Sequence, residues 1–246
     1  MATVDSFFVT RTMQTVELLA FQSCTAPQVA DVLRVDARTA RRLLNRLADE
    51  GWLVRSEGRV RTYTLSLRVA ALAAHYVERA PLTTAALPVV RALYERTGGV
   101  AHLVVPSYRS VLCLVHRAGG AASRPHLGEL IPAHATAGGK VLLAHRPAWR
   151  ESVLELPLER LTERTIVDPD AVRRECEATL ARGFGCEDGE YRDGLQGVAA
   201  PVPDATGDVM AAIALTGQGH LDVGEVTAAA AALREKLAAA GEALAA

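Results

Sequence analysis

Residues 37–49, ARTARRLLNRLAD, constrain this chain more than any other stretch. Ala40, Leu43, Leu44 and Leu47 fall at i, i+3, i+4 and i+7, so on a helix they form one apolar stripe. Arg38, Arg41, Arg42 and Asn45 form a second stripe, centred on the other side of the wheel. Asp36 stands where an N-cap carboxylate accepts free amides, and Gly51 stands just past the end. A helix of this kind is anchored by its leucines and offers guanidinium and amide groups outward. That suits the major groove of DNA, because Arg can pair with guanine N7 and O6, Asn can do so with adenine, and both reach phosphates.

The flanking residues extend this reading. Met13, Val16, Leu19 and Ala20 are spaced for an earlier helix. Thr25 can cap a second helix through Gln28 to Leu33, with Pro27 in its first turn, where a missing N–H costs nothing. After Gly51, WLVRSEGRVRTYTLS predicts two short strands around Val54 and around Val60–Thr64, with a turn at Ser56-Glu57-Gly58. Three helices followed by a basic hairpin predict a winged helix-turn-helix over residues 1–66. Arg38, Thr39, Arg41, Arg42 and Asn45 are then the groove contacts, and Arg55, Arg59 and Arg61 the backbone contacts from the wing. The alternative is an ordinary solvated helix, since the chain contains only two lysines, Lys140 and Lys236, and favours Arg generally.

The net charge of −1 conceals an uneven distribution. Residues 34–61 hold eight arginines against four acids, whereas residues 80–246 hold 16 basic and 20 acidic residues. A basic segment joined to an acidic remainder implies two domains with different partners. Residues 67–79, LRVAALAAHYVER, read as one helix that Pro81 ends, and linker residues 67–80 predict either a dimer seam or a helix packed on its own domain. Residues 81–246 alternate helices (83–96, 134–145, 168–185, 224–245) with antiparallel strand pairs (100–106 with 110–117, 198–204 with 209–217), an α+β sensor-like pattern. With 50% hydrophobic but 4% aromatic residues, the core has to be built from Ala, Leu and Val.

Several chemistries are excluded. No apolar run reaches the ~18 residues of a membrane helix, and MATVDSFFVTRTMQ lacks the pattern of a signal peptide. Cys24, Cys113, Cys176 and Cys186 form no CxxC pair, so neither a zinc cage nor a disulfide framework is expected and a reducing, cytoplasmic setting is. Gly138-Gly139-Lys140 lacks the earlier glycine and following hydroxyl of a phosphate loop. No GxSxG or HExxH occurs. An enzyme using Glu187, Asp188 and His134 is a rival without a nucleophile and base pair. A structural part is expected for His134 and His145, and a solvated acidic loop for Glu187, Asp188 and Glu190. No cofactor is called for.

In this order the motifs resemble the IclR-type family of bacterial transcriptional regulators over nearly the whole chain. The resemblance rests on TAPQVADVLRVDARTARRLLNRLADEGWLVR, IPAHATAGGKVLLA, LTERTIVDPDAVRRECEATLARGFGCEDGEYRDGLQGVAAPV and AAIALTG. It implies a winged helix-turn-helix, a dimerising linker helix and a C-terminal GAF-like α/β effector-binding domain. It further implies a homodimer or homotetramer on operator DNA, acting for example as a repressor, and a small organic effector, often an organic or aromatic acid. Carried over residue by residue, the effector would meet Ile131, Ala137, Gly138, Glu187, Leu195, Gly197, Ala214 and Thr216. Glu187 stands where relatives have Asp, Gly197 where they have Cys, and Ala214 where they often have a hydroxyl. These departures predict a roomier, less polar pocket than a two- or three-carbon keto acid needs. A regulator with no small-molecule effector, answering to a protein partner or its own concentration, is the remaining alternative.

Overall fold

The computed structural model describes residues 2–119 and 130–245. Two compact units divide the chain, Met1–Arg79 and Ala80–Ala246. Among the described residues no helix is long and apolar enough to cross a membrane.

The first unit holds helices α1 (Ala2–Phe21), α2 (Ala26–Leu33), α3 (Ala37–Asp49) and α4 (Leu67–Arg79), with strands β1 (Cys24–Thr25), β2 (Leu53–Arg55) and β3 (Thr62–Leu65). The strands form an antiparallel sheet in the order β1-β3-β2. Leu19, Val29, Leu33, Ala40, Leu43, Leu44, Leu47, Leu53 and Tyr63 close one core. In α1 only part of the expected stripe turns inward: Leu19 is buried, while Met13 and Ala20 are exposed and the buried Thr15 donates to the Arg11 carbonyl at 2.7 Å. Asp36 caps α3 as expected, its Oδ1 accepting from the Thr39 amide at 2.8 Å.

The hairpin differs from expectation. Pairing stops at Arg55 and Tyr63, where the Thr62 amide donates to Ser56 Oγ at 2.9 Å, so residues 56–61 form a loop and Val60 stands outside the strand. The unforeseen β1 pairs with the other edge of β3. Along α4 none of residues 67–76 is buried, and Leu67, Leu72 and Tyr76 are strongly exposed.

The second unit is a six-stranded antiparallel sheet in the order β6-β5-β4-β9-β8-β7. Its strands are β4 (Val100–Ser107), β5 (Ser110–Arg117), β6 (Leu130–Pro132), β7 (Gly185–Asp188), β8 (Gln196–Pro203) and β9 (Val209–Gly217). Helices α5 (Pro81–Thr97) and α9 (Val223–Ala245) cover one face, and α6 (Ala137–His145), with α7 (Pro147–Leu154) and α8 (Pro169–Arg182) beyond it, the other. The alternation in β9 decides which side chains go where: Ala211, Ile213 and Leu215 pack under α5 and α9, whereas Ala212 and Ala214 face α6. Four short elements, β1, β6, α7 and β7, are not legible as separate elements in the sequence.

Small residues let α6 approach the sheet. A Cβ on Gly138 would lie 2.7 Å from Val104 Cγ2 and 3.8 Å from Ala212 Cβ, and one on Gly139 would run into the Ala133 carbonyl. The Thr136 hydroxyl accepts from the Gly139 amide at 3.1 Å and caps the helix. Thus Gly138 sets the first turn of α6 directly against β4 and β9, and Gly139 sets it against the Ala133 backbone.

Candidate functional site

Two places bring together the residues singled out above, one in each unit. In the first, Arg38, Arg41 and Arg42 are exposed on α3 opposite the buried leucines, and none makes an ion pair among the described residues. Arg59 and Arg61 are exposed on the loop. Three other candidates are already engaged. The Thr39 hydroxyl donates to Asp36 Oδ2 at 2.7 Å as part of the cap. Arg55 pairs with Asp49 at 2.9 Å, an exposed pair of small energetic weight. Asn45 Oδ1 accepts from the buried Tyr63 hydroxyl at 2.9 Å and from Arg55 Nη1 at 3.5 Å. Both lone pairs of Asn45 Oδ1 are therefore in use, and a two-point contact to adenine would have to displace one of these donors, the longer Arg55 bond first.

In the second unit a cavity opens between the start of α6 and the sheet. It is lined by His102, Val104, Val111, Ile131, Thr136, Ala137, Gly138, Glu187, Tyr191, Leu195, Ala214 and Thr216. It encloses about 40 Å³ measured to the centre of a water molecule, and a single water needs roughly 10–15 Å³ on that scale. A small organic molecule therefore fits. Half of the lining residues, Val104, Val111, Ile131, Ala137, Leu195 and Ala214, are aliphatic, and among the described residues no Lys or Arg is part of the wall. The first turn of an α-helix has no internal acceptors for its amides. Thr136 takes that of Gly139, which leaves the amides of Ala137 and Gly138, two residues of the cavity wall, without an acceptor inside the helix.

Seven of the eight expected contact residues line this cavity; Gly197 does not. It pairs directly across the sheet with Glu187, and its missing Cβ would lie 3.0 Å from Glu187 Cγ and 3.2 Å from Thr216 Cγ2. The space vacated at position 197 is thus filled by the Glu187 stem, and the gain in cavity volume expected there does not arise. Sequence reasoning misses His102, Val104, Val111, Thr136 and Tyr191. Strand alternation carries a signal for His102 and Val104, and the cap position one for Thr136; Tyr191 is brought in by a loop whose path the sequence does not reveal.

The acidic stretch is not a solvated loop. Glu187 is 4% and Glu190 8% exposed, because β7 points Glu187 inward while Asp188 turns out to pair with Arg164 at 2.5 Å. The buried Lys140 of α6 donates to Glu190 Oε1 at 2.5 Å and to the Cys186 carbonyl at 3.0 Å. This is what holds a carboxylate and an ammonium inside the fold, since a buried charge needs a partner. The Glu190 amide donates to Glu187 Oε2 at 3.1 Å, and the Glu190 carbonyl accepts from the Thr165 hydroxyl at 2.7 Å. Burial pushes the Glu187 carboxyl up to about 7, against two backbone hydrogen bonds that pull it down. Burial also raises Glu190, opposed by Lys140. His134 donates through Nε2 to the Glu159 carbonyl and His145 through Nδ1 to the Val141 carbonyl, each at 2.9 Å, which gives both the structural part expected. Burial is the main reason the His134 imidazole titrates low. Among the described residues no group of His, Cys, Asp and Glu is arranged to hold a metal.

Known proteins place these features. The sequence profile of the bacterial transcriptional regulator IclR C-terminal family matches residues 74–245. The HTH-type transcriptional regulator BhcR of Paracoccus denitrificans is 30% identical over 214 residues, covering 84% of this chain and 76% of that protein. The glycerol operon regulatory protein of Streptomyces coelicolor is 29% identical over 191 residues, 77% of this chain and 75% of that one. An IclR homologue from Microbacterium hydrocarbonoxydans, solved in complex with 4-hydroxybenzoate, superposes with a TM-score of 0.77 at 26% identity over 95% of this chain and 98% of its own. These relatives are named as transcriptional regulators and not as enzymes, and with a family profile spanning most of its length the present chain belongs to the IclR family of bacterial transcriptional regulators.

Proposed function

We propose that this protein is a cytoplasmic, effector-responsive regulator that binds operator DNA as a homodimer or homotetramer. The first unit, residues 1–66 with linker 67–80, is taken as a winged helix-turn-helix, with α3 in the major groove and the 56–61 loop on the backbone. The observation that carries this reading is the row Arg38, Arg41 and Arg42, exposed on a helix whose opposite face is locked by Leu43, Leu44 and Leu47. The uncovered apolar residues of α4, Leu67, Leu72 and Tyr76, support its use as a subunit seam rather than as packing on its own unit. The cavity of residues 81–246 is the effector site. Its aliphatic side chains favour an effector less polar than a short keto acid, and the relative holding 4-hydroxybenzoate supports an aromatic acid.

Fluorescence anisotropy against the upstream intergenic DNA, repeated over a salt series, tests the DNA-binding part. Every phosphate that a protein no longer neutralises lowers the slope of log K against log salt by about 0.9. Arg42→Ala is expected to flatten the slope by roughly that amount, or to cost about 1–3 kcal/mol at a single base position if it reads a base. Unchanged affinity, slope and sequence preference in Arg42→Ala would remove this face from DNA recognition.

A further inference from the structure

The polar end of the cavity contains a conflict that restricts its ligand. The Ala137 and Gly138 amides at the start of α6 favour an anion, because the first turn of a helix offers them no internal acceptor and carries the positive end of the dipole. Beside them stands an acid. The point where a Cβ would sit on Gly197 lies 3.0 Å from Glu187 Cγ and 3.4 Å from Ala137 Cβ, so the Glu187 stem and the helix start flank one spot. Among the described residues no basic side chain lines the cavity to neutralise two negative charges, because Lys140 is drawn out of it to Glu190 and Cys186.

Resting on the reading of this cavity as the effector site, we propose that it binds a monocarboxylate together with one proton, held between Glu187 and the ligand's carboxylate. The ligand carboxylate accepts from the Ala137 and Gly138 amides and from the Glu187 carboxyl O–H. Glu187 accepts from the Glu190 amide at Oε2 and from the Tyr191 amide, and the shared proton takes a carboxyl lone pair that these two bonds leave open. A dicarboxylate is disfavoured, since among the described residues no Lys or Arg lines the cavity to pair its second charge.

The groups around Glu187 agree with this arrangement. From α6 comes Lys140, committed to Glu190; from the following loop come Glu190 and Tyr191; from β4 comes His102. The strands beside it, β8 and β9, contribute Gly197 and Thr216, neither of them charged. Glu187 titrates at about 7 because burial disfavours its anion, so protons are exchanged on ligand binding within the physiological range.

Calorimetry of the full chain with benzoate, 4-hydroxybenzoate and acetate as anionic probes, and benzamide and phenol as neutral ones, from about pH 6 to about pH 9, tests this. The expected result is a benzoate Kd that is level below about pH 7 and rises about tenfold per pH unit above it. Glu187→Gln, which keeps a donor but no titration, is expected to bind benzoate with a level pH profile, and its binding of benzamide shows that it is folded. His102→Gln, whatever it does to the affinity itself, is expected to keep the slope. A level profile in the unsubstituted protein, a slope that survives Glu187→Gln, or a slope abolished by His102→Gln overturns the proposal. Binding of neutral probes only overturns it while leaving the effector site in place. Failure of all the probes removes both.

Discussion

Gly197→Ala isolates the packing between the effector cavity and its acid. The added methyl would lie 3.0 Å from Glu187 Cγ, 3.2 Å from Thr216 Cγ2 and 3.4 Å from Ala137 Cβ. Carbon pairs settle at about 3.5–4.0 Å, so Glu187 and Thr216 have to give way by a few tenths of an ångström, while Ala137 stays in ordinary contact. The backbone raises no objection, since Gly197 is not among the residues with positive φ. In a strand without such neighbours the change would gain roughly 0.5–1 kcal/mol, by removing the conformational freedom of glycine. Here the overlap is expected to turn that gain into a loss of about 1–3 kcal/mol. Glu187→Ala removes the nearest of the three atoms, and in that background Gly197→Ala is expected to be close to neutral. The coupling between the two sites is then about 1–2 kcal/mol, well above the roughly 0.3–0.5 kcal/mol scatter of independent sites. Urea unfolding near pH 6, followed by Trp149 fluorescence in a Trp52→Phe background, reads the second unit alone. An equal cost of Gly197→Ala with and without Glu187 would refute the view that the acid occupies the space left by the glycine.

Two further outcomes concern buried side chains, one in each unit. The Glu187 carboxyl has a folded-state pKa of about 7, raised from an unfolded value of 4.5, so the stability it contributes is complete below about pH 4.5 and is lost as pH rises to about 7. The loss is about 3 kcal/mol and should appear as a fall in urea midpoint that Glu187→Gln removes, apart from the part in the same direction due to the raised Glu190; a parallel fall of the same size in the variant would show another group to be responsible. Leu44 is 0% exposed beneath the arginine face, so Leu44→Ala is expected to destabilise the first unit by about 2–5 kcal/mol, read by thermal unfolding through Trp52 fluorescence, whereas Arg42→Ala should leave that transition in place.

What is legible in the sequence comes from strong local signals. The α3 pattern fixes both its buried leucines and its exposed arginines, because helical periodicity leaves no other assignment once one face must be covered. The cap Asp36 falls where expected, since it satisfies a backbone amide only three residues away. The resemblance to relatives brings seven of the eight expected cavity residues to one place.

What the sequence leaves open depends on distant partners. β1, β6 and β7 are two to four residues long and exist only because another strand supplies their hydrogen bonds. Spacing alone assigns the stripe in α1, yet the core meets the helix on the side of Thr15 and Leu19. Asn45 reads as free along the chain, and it is held by Tyr63, 18 residues on. Glu187 and Glu190 look like solvated acids because nothing local distinguishes them from one. Lys140, fifty residues before Glu190, partners that acid, and the stem of Glu187 fits beside its cross-strand neighbour Gly197. Periodicity and capping thus set which face of α3 turned inward. Only tertiary packing decided which buried acid met a cation and which was left at the cavity wall to titrate near neutrality, because burial and charge pairing are properties of neighbours in space.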